Sequence, residues 1–106
     1  MFTRIVSMQV KPSVRSEFIE VFENQVIPTL RKQQGFKDEL LFVSPSGPEA
    51  VAISLWESKE NAESYNRAMY PEVLQTLAKF VEPTPKVVTY DLAYSSFHKI
   101  ASRIAA

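Results

Sequence analysis

Cysteine is absent from the 106 residues, which excludes disulfides, thiolate metal sites, iron–sulfur clusters and a cysteine nucleophile. Histidine occurs once, at His98, so no histidine-rich metal site can form, and no carboxylate cluster stands in for one. Glycine occurs twice, at Gly35 and Gly47, which leaves no glycine-rich phosphate loop and argues against a nucleotide- or flavin-binding fold. Net charge is also lacking, with 12 Lys plus Arg against 12 Asp plus Glu. A general nucleic-acid or anionic-membrane binder would carry a basic excess, whereas neutrality removes one barrier to self-association. No apolar run approaches the ~20 residues of a membrane-spanning helix. The start, Met-Phe-Thr-Arg-Ile-Val, has no apolar signal core, so a cytoplasmic location is expected.

What is present reads as a single domain over 1–106, 45% apolar and 23% charged. Residues 3–10 alternate and are rich in β-branched side chains up to Lys11-Pro12, which predicts a strand. Ser13 is placed to cap a helix over 14–33, whose Val14, Phe18, Val21, Phe22, Val26 and Leu30 step by three or four into one buried stripe. Pro28 should kink that helix, and Gly35 should end it. Strands are expected over 36–44 and 49–57, joined through Pro45-Ser46-Gly47-Pro48. Ser58 should cap a second helical stretch carrying Ala62, Tyr65 and Met69 on one side. Tyr70-Pro71 then implies either two helices, 59–69 and 71–81, or one bent helix. Residues 86–95 read as the last strand, and the tail 96–106 is open to a place at a dimer interface.

The order β-α-β-β-α-β predicts an α+β, ferredoxin-like fold: a four-stranded antiparallel sheet with both helical segments on one face. The strands are apolar at both parities, as Leu40 and Phe42 against Leu41 and Val43 illustrate. A sheet apolar on both faces needs two covers, and a second copy of the chain is the simplest source of the other.

The Val26-Ile27-Pro28 to Gly35-Phe36 stretch, the strand end Ile53-Ser54-Leu55-Trp56-Glu57-Ser58, the Ala62–Tyr65 helix face and Val88-Thr89-Tyr90-Asp91-Leu92 together resemble the antibiotic biosynthesis monooxygenase family. The resemblance implies a dimeric α/β barrel, with the two sheets face to face and a pocket in each subunit between sheet and helices. Some members of that family oxidise polycyclic phenols with O₂ and no cofactor, others degrade haem, and many have no established activity. Where the haem-degrading branch has a helix tryptophan and an iron-ligating histidine, this sequence has Tyr65 and Gln75, and its first strand has no asparagine. Glutamine is a poor ligand for haem iron, so these departures argue against haem degradation.

Each candidate site residue has two readings. Tyr65 and Asn66 are the expected catalytic pair, holding a substrate oxygen or steadying a phenolate; otherwise Tyr65 is core and Asn66 solvated. His98 is either a general base for a phenol proton or a solvated or interface residue. Arg4 is either a partner for an anionic substrate or paired with Glu39 or Asp91 across the sheet. Trp56 either stacks on an aromatic ligand or lies in the core. Phe22, Met69, Tyr70 and Tyr90 are candidates for the substrate-binding wall and otherwise core. The expected activity is a cofactor-independent monooxygenase of a small phenol or anthrone, with no metal. The alternative is a non-catalytic dimeric module that binds a small ligand or serves a stress response.

Overall fold

The structure, a computed structural model, describes residues 1–97. Four strands, β1 (Phe2–Gln9), β2 (Phe36–Val43), β3 (Glu49–Trp56) and β4 (Lys86–Asp91), form one antiparallel sheet in the order β2-β3-β1-β4. The helices are α1 (Arg15–Val21), α2 (Ile27–Arg31), α3 (Lys59–Ala68) and α4 (Tyr70–Leu77). They lie on one face of the sheet, which is the α+β ferredoxin-like arrangement expected from the element order.

The first helical segment departs from a single helix. A short 3₁₀ turn at Pro12–Val14 leads into α1, and a π-helical turn at Phe22–Val26 separates α1 from α2. Pro28 sits in the first turn of α2, where a missing backbone N–H does no harm, and the Ile27 N–H reaches back five residues to Phe22 O. The wider turn therefore absorbs the proline. Gly35 follows at φ 81°, and a Cβ there would collide with the Asn61 side chain. Its carbonyl accepts the Glu57 N–H at 2.7 Å, so this glycine joins the end of the first crossover to the start of the second.

Ser58 caps α3 as expected, its Oγ accepting the Asn61 N–H at 3.2 Å. Met69, at φ −121°, breaks the helix, and Pro71 opens α4. The tyrosine–proline step thus gives two helices, with Tyr70 as the first residue of the second. The last strand is shorter than its sequence pattern: Asp91 pairs with Phe2, and Leu92 N–H reaches Met1 O at 2.8 Å.

The core lies between sheet and helices. Val6, Met8, Ala50, Ala52 and Trp56 rise from β1 and β3 to meet Phe18, Phe22, Val26, Leu30, Ala62, Tyr65, Val73 and Leu77. On the other face, Leu40, Ile53, Ile5 and Val88 are register partners in one apolar row across all four strands. Leu40 and Val88 are 40% and 46% exposed, so this subunit leaves the row's edges uncovered.

Candidate functional site

The row next to that apolar one, on the helix face, has opposite chemistry. Thr89, Arg4, Ser54 and Glu39 are register partners from β4 to β2. A bulge in β2 makes this possible. Phe36 pairs with Trp56 but Asp38 pairs with Leu55, so Lys37 is the extra residue. The inserted residue reverses the facing of the rest of the strand. Glu39, Leu41 and Val43 turn inward and Leu40 and Phe42 outward, where unbroken alternation from Phe36 would do the reverse.

Arg4 is buried, 3% exposed, and its Nη2 donates to Asn66 Oδ1 at 2.9 Å. Its guanidinium lies 4.4 Å from the ring centre of Tyr70 and 5.1 Å from that of Tyr65. Such cation–ring contacts partly replace the water that a buried charge has lost. Arg4 takes part in none of the ion pairs among the described residues, which join Lys11–Glu82, Lys37–Glu57 and Lys59–Glu63. Pairing of Arg4 with Glu39 or Asp91 is therefore not what the fold uses.

Between sheet and helices runs a narrow slot of about 30 Å³. Arg4, Glu39, Ser54, Tyr65 and Tyr70 give its polar lining, and Val6, Met8, Phe22, Val26 and Leu77 are among its apolar walls. Phe22 and Val26 come from the two ends of the π-helical turn, and Tyr70 from the break between α3 and α4. Both irregularities of the helical layer thus border the slot. Two buried polar atoms there, Glu39 Oε1 and Tyr70 Oη, make no hydrogen bond of ordinary geometry, although the Arg4 guanidinium is near enough to Tyr70 to act on its hydroxyl. Wider grooves of about 290 and 450 Å³ open elsewhere, beside the Pro45–Glu49 loop and beside Pro83. Among the described residues, neither contains a buried polar atom left without a partner.

Electrostatics follow from burial. Desolvation pushes Glu39 from 4.5 up to about 8, with the Arg4 charge opposing and Asp38 adding to it. Burial also holds the Tyr65 and Tyr70 phenols in their neutral form beyond the usual tyrosine range, again against the pull of Arg4. At neutral pH the slot therefore holds an uncompensated cation beside a mostly protonated carboxyl.

The candidate residues separate in space. Arg4, Phe22, Tyr65 and Tyr70 line the slot, and Asn66 reaches it through Arg4. Trp56 is wholly buried beneath α3, stacked on Tyr65 at 5.0 Å, with its indole N–H donated to Ser54 Oγ at 2.9 Å. Met69 packs on the core at the helix break, outside the slot lining. Tyr90 is on the opposite face of the sheet and 56% exposed. His98 lies outside the described residues. The residue that the sequence reading did not single out for the site is Glu39. Its signal was there only as an acidic residue amid the apolar residues of β2, without the bulge that turns it inward.

Metal binding finds no support in the donors, since the described residues hold no group of three His, Asp or Glu side chains placed to share an ion. No helix among them is long and apolar enough to cross a membrane.

Several solved structures share the fold. A monooxygenase from the gene ActVA-Orf6 of Streptomyces coelicolor, in complex with nanaomycin D, superposes with TM-score 0.75 at 20% identity, over 89% of this chain and 88% of that one. SnoaB, a cofactor-independent oxygenase from Streptomyces nogalater, gives 0.74 at 15% identity, over 90% and 95%. Rv0793 from Mycobacterium tuberculosis gives 0.69 at 17% identity, over 90% and 97%. At these identities the likeness is one of fold. No curated protein matches the sequence. The sequence profile for antibiotic biosynthesis monooxygenases matches residues 1–79, which takes in every element but β4, and the chain belongs to the antibiotic biosynthesis monooxygenase family.

Proposed function

We infer that the protein is a cofactor-independent monooxygenase of a small aromatic substrate of the phenol or anthrone type. The observation that carries this reading is the convergence in one apolar slot of a guanidinium with no carboxylate partner, a carboxyl oxygen with no donor and a phenol oxygen with no hydrogen bond of ordinary geometry. A core filled by its own side chains would not strand polar groups together, because each buried and unsatisfied group costs about 1–3 kcal/mol. A ligand with an oxygen at the Arg4 end and flat apolar carbon toward Phe22 and Val26 would satisfy them. Two structural relatives point the same way, one a cofactor-independent oxygenase and one a monooxygenase seen with nanaomycin D.

Once ionised, an electron-rich aromatic substrate can itself pass an electron to O₂. The protein then has to bind it, ionise it and exclude water. For an anthrone the balance is simple: the ring CH₂ becomes C=O, one oxygen atom of O₂ is retained and the other leaves as water. Arg4 would hold the anionic oxygen, and Asn66 would fix the guanidinium. The Tyr65 and Tyr70 hydroxyls would face the developing charge. Slots that take such ligands are usually ~300 Å³ or more, so the bound form must be wider than this one. The π-helical turn and the break at Met69 are the places where the wall can yield with least loss of regular hydrogen bonding.

The remaining expectations fit the same reading. A second copy of the chain would cover the Leu40–Ile53–Ile5–Val88 row, giving a cytoplasmic homodimer with its sheets face to face and a slot in each subunit. The test is O₂ uptake by the purified, chelator-treated protein with a panel of anthrones, naphthols and hydroquinones. Uptake above the uncatalysed rate, reduced in Tyr65→Phe, supports the oxygenase. The small volume of the slot favours a second reading, a module that binds a ligand without turnover. It predicts affinity for the same compounds with no uptake.

A further inference from the structure

Glu39 enters the slot from β2 only because the bulge at Lys37 turns it inward, and its Oε1 is buried there with no donor. Across the row, with Ser54 between them, Arg4 is held by Asn66 and two tyrosine rings and forms no ion pair with it. A guanidinium locked to this carboxylate would leave neither group free. Kept apart, one is available to an anion and the other to a proton.

We propose that Glu39 is the proton acceptor of the slot: it takes the hydroxyl proton of a bound phenol, whose oxygen is left as an anion on the Arg4 guanidinium. The proposal rests on the reading of the slot as a site for aromatic alcohols, and it names the group that ionises them. In this step the substrate O–H bond breaks and its electron pair stays on the aromatic oxygen. A new O–H bond forms on Glu39. The total charge of the slot is unchanged, because the carboxylate loses the charge that the substrate gains. No oxidant takes part until O₂ arrives.

The surroundings suit that role. The groups facing the carboxyl are Arg4 from β1, Tyr65 from α3 and Tyr70 from α4, with Asp38 beside it on β2; the first helical segment offers only Phe22, Val26 and Leu30. Burial keeps both phenols protonated, so neither competes for the proton near neutrality. Burial also lifts Glu39 to about 8. An ordinary carboxylate lies about six units below a phenol of pKa ~10 and could not take its proton at useful cost. Burial lifts a phenol in the slot as well, as it does Tyr65 and Tyr70, so the gap closes only where Arg4 meets the developing oxyanion directly.

Two measurements on the full chain separate this proposal from the oxygenase reading. The first is the pH profile of O₂ uptake. In the wild type kcat/KM should rise to a plateau above pH 8, where the carboxyl is ionised. Glu39→Gln should lose about 100-fold or more and the rise with it, while Glu39→Asp keeps part of both. The second needs no turnover. Binding of 4-nitrophenolate in weak buffer at about pH 8.5 should draw a proton from solvent onto Glu39, with the phenolate absorption band retained. Glu39→Gln should bind without that proton uptake. Proton uptake without oxygen consumption by any substrate would sink the oxygenase and leave Glu39 as the slot's proton carrier. A folded Glu39→Gln with wild-type kcat/KM and pH profile would overturn the proposal. So would failure of the wild type to bind 4-nitrophenolate, or to take up a proton when it does.

Discussion

Arg4 and Glu39 stand in one row across the sheet, separated only by Ser54, and do not form an ion pair. Two opposite charges brought into one apolar slot would ordinarily be joined, since the desolvation cost of each is offset only by close contact. Here burial resolves the conflict differently. The carboxyl keeps its proton to about pH 8, and the guanidinium leans on Asn66, Tyr65 and Tyr70. That leaves the Arg4 charge to the anionic oxygen of the proposed substrate.

Arg4→Met tests this directly. Methionine fills similar space without the charge; it removes the desolvation cost of a buried guanidinium that has no carboxylate partner, and gives up only the bond to the exposed Asn66 and the two ring contacts. The melting temperature should therefore hold or rise. Affinity for 4-nitrophenolate, measured by calorimetry, should fall at least ~10-fold, about 1.4 kcal/mol. A variant that melts lower and binds as well as the wild type would show that Arg4 is structural.

Glu39 predicts an unusual pH dependence of stability. Below its unfolded value of 4.5, folded and unfolded chains both carry the proton. Between 4.5 and about 8 the folded chain keeps it and the unfolded chain does not. Stability from this group is therefore present at low pH and lost as pH rises toward 8, at a slope of up to about 1.4 kcal/mol per pH unit. Urea denaturation across that window should show the decline in the wild type and a flatter line in Glu39→Gln. Equal slopes would mean that the carboxyl ionises normally in the folded chain.

Leu40→Lys addresses the outer face. Leu40 is 40% exposed in the subunit, so a lysine there costs the fold little. In a two-fold dimer built sheet to sheet, each copy would bring the new charge into an apolar contact. The dissociation constant, read by sedimentation equilibrium, should rise at least ~10-fold with the circular dichroism unchanged. An unaltered constant would place the partner elsewhere.

Gly35→Ala should be among the costliest small changes in the chain. The backbone there has φ 81°, and the added Cβ would meet the Asn61 side chain at the start of α3. Strain and displacement together should lower stability by about 1–3 kcal/mol in chemical denaturation. Asn61→Gly in the same chain should recover part of that loss by removing the collision, though not the strain.

Much of this molecule is readable along the chain because the signals are local. Ser58 before a helical pattern caps α3, its Oγ accepting the Asn61 N–H, whereas Ser13 falls inside the 3₁₀ turn and caps no helix. Pro71 opens a helix because its ring leaves few other choices. The spacing of Phe18, Phe22, Val26 and Leu30 buries one stripe whatever lies beneath it, and all four are buried. Alternation at both parities already signalled a sheet with two apolar faces.

The site was legible only in fragments. Arg4 and Tyr65 appeared as candidates from residue type and position, but the bond that links Arg4 to Asn66 spans 62 residues, and no local pattern encodes it. Trp56 carries the same chemistry as a ligand-stacking residue and is instead sealed beneath Tyr65. Which tryptophan is core and which is wall depends on the helix above it.

The sequence by itself determined the order of elements, the breaks at Gly35 and Pro71, and an apolar sheet in want of a second cover. The tertiary structure alone decided that Glu39 faces Arg4. One extra residue at Lys37 shifts the pairing of β2 against β3 and reverses every side chain after it. A strand's facing has a period of two and no memory of where it began. Only the register against its neighbour says which of Asp38 and Glu39 is turned toward the slot.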